Sequence, residues 1–172
     1  MTGLVVVLGR KSIIALLWLV LFLPLWASSV YPLGERQAQY RTVRRAVDGD
    51  TLVLENKERV RLIGVDTPET KHPRRPIEYY GKEASAFTKR MVRGKDVMLK
   101  FDRANAPIGH KDRFGRILAY VFLEDGTFLN TEIIKQGYGH AYTRFPFKYL
   151  DYFRRYQREA REQGRGLWGK TT

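Results

Sequence analysis

Three short β-rich segments, cut by tight turns, constrain this chain most. Arg41 to Val47 runs into Asp48-Gly49, Thr51 to Leu54 into Asn56-Lys57, and Arg59 to Val65 into a stop at Pro68. β-Branched and aliphatic residues recur in each segment, and the breaks carry residues that turn a chain. Connections this short join neighbouring strands as hairpins. Two further strands read over Asp96–Phe101 and Ile117–Leu123, with a polar loop, Arg103–Gly115, between them. A helix is expected over Tyr80–Arg93, because Ala84, Phe87, Thr88 and Met91 fall on one face and Gly94 follows. A shorter helix fits Asn130–Gln136. A longer one fits Tyr149–Gln163, with Tyr149, Tyr152, Phe153, Tyr156 and Ala160 along one stripe and Arg154, Arg155, Arg158 and Arg161 on the other face. Five short strands with a helix inserted among them fit an α+β domain built on a small Greek-key barrel of the OB type.

Residues 1–29 stand apart from this pattern. Arg10 and Lys11 precede an apolar run, Ile13 to Trp26, interrupted by Pro24 and followed by Ala27-Ser28-Ser29. That is the order of a signal peptide, and the run is shorter than the roughly 20 residues a bilayer span needs. Export with removal of 1–29 is the expectation. The alternative is an uncleaved anchor that holds the protein to a membrane through residues 13–27. Residues 30–40 then read as a linker and 41–169 as the domain.

The formal charge is +13. Residues 1–29 hold two of the cations, Arg10 and Lys11, and no acid, which leaves +11 on the rest. A surface this basic draws polyanions, with nucleic acid first and an anionic membrane second. There is no cysteine, which excludes disulfides, thiolate metal sites and a thiol nucleophile. His72, His110 and His140 are scattered, with no i, i+4 pair, and read as surface or loop residues rather than ligands. No heptad or exposed repeat appears, which fits a monomer.

Two segments carry chemistry. Asp48-Gly49-Asp50-Thr51 puts two acids around a glycine at the mouth of a hairpin. Arg61 to Thr70 carries Arg61, Asp66 and Glu69, and pairing that strand with Thr51–Leu54 brings Asp66 towards Asp50. Two close carboxylates repel unless a cation sits between them. Oxygen ligands without sulfur favour calcium or magnesium over zinc, and a carbonyl at Thr67 could join the set. Arg116 opens a later strand. If it lands beside Arg61, two guanidinium groups and a dication surround one phosphodiester and neutralise the charge that gathers in its transition state. Glu69 is then the carboxylate available as general base.

Asp48-Gly49-Asp50-Thr51, Arg61 through Thr70, Lys71-His72-Pro73, Tyr80 through Lys89, Asp112 through Tyr120 and Gly166-Leu167-Trp168 closely resemble the staphylococcal nuclease family, over roughly residues 41–169. The resemblance implies an OB-fold barrel with three helices and Ca²⁺-dependent hydrolysis of DNA and RNA that leaves 3′-phosphates. It implies calcium-binding carboxylates at Asp50 and Asp66, a backbone carbonyl ligand at Thr67 and an outer-shell acid at Asp48. It implies catalytic roles for Arg61, Glu69 and Arg116, and a nucleotide-pocket tyrosine at Tyr142. Phe114 stands where the family has a phosphate-holding tyrosine, with Arg113 keeping a cation beside it. Arg144 stands where a second pocket tyrosine is expected, and the loop from Arg103 to Lys111 is longer than in the family. The competing reading is a non-catalytic OB-fold protein that binds single strands. A binding-only descendant has no reason to keep Asp50, Asp66, Arg61, Glu69 and Arg116 together.

Overall fold

The computed structural model describes residues 39–70 and 76–169. The leader, nearly all of the linker and Lys71-His72-Pro73 lie outside those residues. Among them the strands are β1 (Gln39–Ala46), β2 (Thr51–Leu54), β3 (Arg59–Leu62), β4 (Val65–Asp66), β5 (Asp96–Lys100), β6 (Ile117–Leu123) and β7 (His140–Ala141). The α-helices are α1 (Gly81–Val92), α2 (Leu129–Lys135) and α3 (Leu150–Glu162).

Five strands close into a barrel in the order β1-β2-β3-β6-β5, with β5 returning to β1. The two hairpins put β1 and β3 antiparallel to β2, with Thr51 opposite Arg61. β3 and β6 run parallel, with Arg61 opposite Leu118. A parallel partner must arrive from far along the chain, and α1 and β5 occupy the intervening sequence. Closure leaves the barrel without free strand edges. Alternation decides what faces inward. Val60 and Leu62 are buried in β3 while Arg59 and Arg61 point outward. Leu52, Leu54, Val97, Leu99, Ala119, Val121 and Leu123 fill the interior from the other strands. Phe153 and Ala160 of α3 and Leu129, Ile133 and Ile134 of α2 complete the core. Truncating one such aliphatic to Ala costs about 2–5 kcal/mol.

Four expectations need correction. Arg59–Val65 is not one strand: the chain turns at Ile63-Gly64, and β4 pairs instead with β7. Gly64 sits at φ +72°, where a side chain is strained, and a Cβ there would meet Phe147. The loop after Phe101 carries a 3-10 turn, Arg103–Ile108, whose first amides Asp102 caps. Tyr152 lies outside the buried stripe of α3, because the packed face is set by Phe153 and Ala160. His110 is a loop residue but a buried one, packed against the Phe101 ring at 4.8 Å. No helix among the described residues is long and apolar enough to cross a membrane.

Candidate active site

The Asp48-Gly49-Asp50 turn is fixed from three sides. Asp50 N–H donates to Asp48 Oδ1 at 3.0 Å, an acid-capped turn. The Thr88 hydroxyl on α1 donates to the Gly49 carbonyl at 2.7 Å, and Leu62 N–H donates to the Asp50 carbonyl. Thr67 approaches Gly49 so closely that a Cβ there would lie 2.6 Å from its side chain. Glycine is therefore required by contact.

Asp50 is buried, and both of its carboxylate oxygens are engaged, Oδ2 more heavily than Oδ1. Oδ1 accepts from the Thr51 hydroxyl, and Oδ2 accepts from Thr67 N–H at 3.0 Å and the Thr67 hydroxyl at 3.2 Å. Arg61 joins the two acids. Its Nη1 lies 3.1 Å from Asp50 Oδ2 and its Nη2 lies 3.1 Å from Asp66 Oδ1. Nη1 also donates to the Val65 carbonyl at 2.6 Å. The reversal at Gly64 makes this last contact possible. Asn130 on α2 holds that reversal from inside: its amide donates to the Ile63 carbonyl and its oxygen accepts from Val121 N–H. Nothing in the chain's periodicity marks Asn130 beyond a polar residue at a helix start.

At the start of the neighbouring strand β6, Asp112 aims Arg116. Its Oδ2 accepts from Arg116 Nε at 2.6 Å, and its Oδ1 accepts from the backbone N–H groups of Phe114 and Arg116. Burial raises the Asp112 carboxyl, but these hydrogen bonds outweigh it and hold the group below its ordinary value. Glu69 is set by a reciprocal backbone contact: its N–H donates to Glu78 Oε2 at 3.0 Å, and its carbonyl accepts from Glu78 N–H. Asp112 and Glu78 were not singled out from sequence. An acid four residues before Arg116 was the available signal for the first.

Asp48, Asp50, Thr51, Arg61, Asp66, Thr67, Pro68, Glu69 and Arg116 line a cleft of about 170 Å³. The candidate metal and catalytic residues thus share one cavity. Arg113, Phe114, Tyr142 and Arg144 are not among its lining residues. Phe114 is 67% exposed at its rim, with the guanidinium carbons of Arg113 and Arg116 at 4.7 and 5.3 Å from its ring centre. Tyr142 is 36% exposed, and its N–H donates to the Gly64 carbonyl beside β4.

The electrostatics fit a hard cation. Burial, then the adjacent charge of Asp50, pushes the Asp48 carboxyl up to about 6. Asp66 is also raised by burial, against the opposing charges of Arg61 and His140. One guanidinium therefore leaves this acidic end under-neutralised. The donors are carboxylate, hydroxyl and carbonyl oxygens, the set that suits calcium or magnesium. Among the described residues no three acidic, His or Cys side chains stand close enough to hold a metal by themselves. A cation here would take the rest of its shell from carbonyls and water.

A closed barrel with such a carboxylate–guanidinium cleft at its surface can hold a cation and a phosphodiester side by side. The family model described as staphylococcal nuclease homologue matches residues 59–170. Thermonuclease of Staphylococcus hyicus is 34% identical over 171 residues, covering 97% of this chain and 96% of its own. Thermonuclease of Staphylococcus intermedius is 42% identical over 130 residues, covering 73% and 74%. Endonuclease YncB of Bacillus subtilis is 38% identical over 135 residues, covering 76% and 62%. The chain belongs to the staphylococcal nuclease family.

Proposed function

We propose that this nuclease hydrolyses DNA and RNA with Ca²⁺ as cofactor and leaves 3′-phosphates. The carrying observation is that Asp50, Asp66, Arg61, Glu69 and Arg116 line one cleft, with Arg61 clasping both acids at 3.1 Å. Asp50, Asp66 and the Thr67 carbonyl would hold the cation, with Asp48 behind them. When bound, it draws charge from the phosphodiester and eases attack on an anionic substrate.

The chain's own groups do the rest. Arg61 on β3 and Arg116 at the start of β6 offer planar donors to the non-bridging phosphate oxygens, and their hold tightens as charge grows there. Glu69, with its backbone fixed by Glu78, accepts the proton of the attacking water. The Asp112 contact orients Arg116 for its part without spending the terminal nitrogens of the guanidinium. The rim pair Arg113–Phe114 and the residues Tyr142 and Arg144 hold the flanking nucleotide. Phe114 has no hydroxyl to offer a phosphate, so it contributes contact area only.

Residues 1–29 support a reading of export, with an anchor through 13–27 as the variant form, and the domain acts as a monomer. The test is hydrolysis of single-stranded DNA and RNA by the full chain, with calcium, magnesium or chelator supplied. Hydrolysis with calcium that chelator abolishes is expected, with the product termini read by phosphatase sensitivity. Arg61→Ala, Glu69→Gln and Arg116→Ala should each lower kcat on the order of 10²-fold or more while the fold survives. Undiminished hydrolysis in Arg116→Ala refutes the assignment.

A further inference from the structure

Two exposed aromatic rings outside the cleft lining, Phe145 and Tyr152, each carry a guanidinium group. Phe145 is 61% exposed, with the Arg144 guanidinium carbon 5.7 Å from its ring centre. Tyr152 is 53% exposed, with that of Arg155 at 5.1 Å. The Tyr142 and Phe145 rings are 6.2 Å apart, and the Tyr149 and Tyr152 rings 6.4 Å. The four residue steps from Phe145 to Tyr149 span at most about 14 Å of chain. The strip starts at the site: β7 pairs Asp66 with His140, and Tyr142 N–H bonds the Gly64 carbonyl at 2.9 Å. It is also positive. Residues 142–159 hold five cations, Arg144, Lys148, Arg154, Arg155 and Arg158, against two acids, Asp151 and Glu159, which lie 3.9 and 3.7 Å from Arg154 and Arg155.

A single exposed ring is ordinary, but rings that each carry a guanidinium group, on a basic segment leading away from the cleft, offer both stacking and charge. Rings alternating with guanidinium groups fit one partner well. Every nucleobase has a π-face to stack on a ring or an Arg plane, and its phosphate meets the neighbouring cation. A paired base keeps its faces stacked inside the duplex and cannot use such a strip.

We infer that Phe145 and Tyr152, with Arg155, form an accessory track for the unpaired strand beyond the cleft, so that the protein discriminates for single-stranded substrate long enough to reach it. The inference rests on the nuclease reading for its substrate class. Tyr142 and Arg144 belong to that reading. Phe145, Tyr152 and Arg155 extend it.

The test measures binding in chelator, where hydrolysis is suppressed, at one fixed salt concentration, by fluorescence anisotropy. Labelled oligothymidylates of about 6 and about 20 nucleotides and a duplex of the longer length serve as probes. Phe145→Ala and Tyr152→Ala should each weaken binding of the long single strand roughly 5-fold or more. Duplex binding should change less than about twofold, since it loses only non-specific charge contact. Tyr152→Phe should retain wild-type binding, because the ring and not the hydroxyl is used. Both Ala substitutions are at exposed positions, and thermal melts check that the folds survive. Equal losses on duplex and single strand, or no loss on either, overturn the inference. So does loss of binding to phosphatidylglycerol vesicles in the same variants with oligonucleotide binding intact. Hydrolysis of the long strand by wild type with calcium is scored separately. Its failure refutes the nuclease reading, while the anisotropy comparison still decides the track.

Discussion

Asp112→Asn isolates what aims Arg116. In the native protein Oδ1 accepts from the Phe114 and Arg116 amides at 2.9 and 3.0 Å, while Oδ2 accepts from Arg116 Nε at 2.6 Å. An asparagine whose oxygen keeps the two amides preserves the turn. Its NH₂ then faces the Nε–H, and two donors oppose each other. The guanidinium is released. Freeing an Arg side chain returns about 2 kcal/mol of rotamer entropy. At 1.4 kcal/mol per decade, the aimed population falls roughly 30-fold. Complete loss of the donor sets the ceiling, on the order of 10²–10³. The assay is kcat/KM for hydrolysis of single-stranded DNA with calcium, in a double-mutant cycle with Arg116→Ala. Asp112→Asn is expected to lose roughly 30-fold alone and less than about threefold on top of Arg116→Ala, because the two residues act as one unit. Full activity in Asp112→Asn, or losses that multiply, refutes the argument. Destabilisation by about 1.5–3 kcal/mol is expected from the charged hydrogen bond alone, so a melt must accompany the kinetics.

Asp48 is raised to about 6 by burial and by Asp50, so its ionised form opposes folding. The native state binds the extra proton between the unfolded pKa near 3.9 and that value. In chelator, its contribution therefore makes the protein less stable as pH rises from about 4 to about 6, with no further change above. Asp48→Asn should raise Tm more at pH 7.5 than at pH 4, and an equal shift at both would contradict the account. Gly49→Ala forces a Cβ to within 2.6 Å of Thr67 and displaces the Asp50–Thr67 hydrogen bonds. Its hydrolysis should fall by an order of magnitude or more, and wild-type kinetics would exclude the contact. Asn130→Leu strands the Val121 N–H and the Ile63 carbonyl in the core. A loss of about 1–3 kcal/mol per buried group is expected in chemical denaturation.

The barrel was legible because its turns are short and its strands are rich in β-branched and aliphatic residues: Val60 and Leu62 alternate with Arg59 and Arg61, and the apolar run Ile117–Leu123 matches β6 to the residue. The acids and arginines of the cleft were legible because Asp50 and Asp66 flank the β2–β3 pairing, which sequence proximity predicts. What hid was tertiary. A strand over Arg59–Val65 reads smoothly because Ile63 and Val65 suit a strand, yet Gly64 at positive φ bends it and puts the Val65 carbonyl on Arg61. Local pattern carries no trace of that closure, nor of Asn130 reaching Ile63 across the core. His110 looked like a loop residue, and it is one, but nothing local shows that the loop folds over Phe101.

Asp102 has a consequence of its own. Its carboxylate accepts from Tyr120 of β6, from Ala104 at the start of the loop that leads to Phe114 and Arg116, and from the Lys148 amide in the segment after Phe145. The loop that leads to Arg116 and the segment after Phe145 are thus knotted to a single carboxylate. Neither can drift without pulling on the other, so the spacing of these two stretches of chain is set through the wall strand that carries Tyr120.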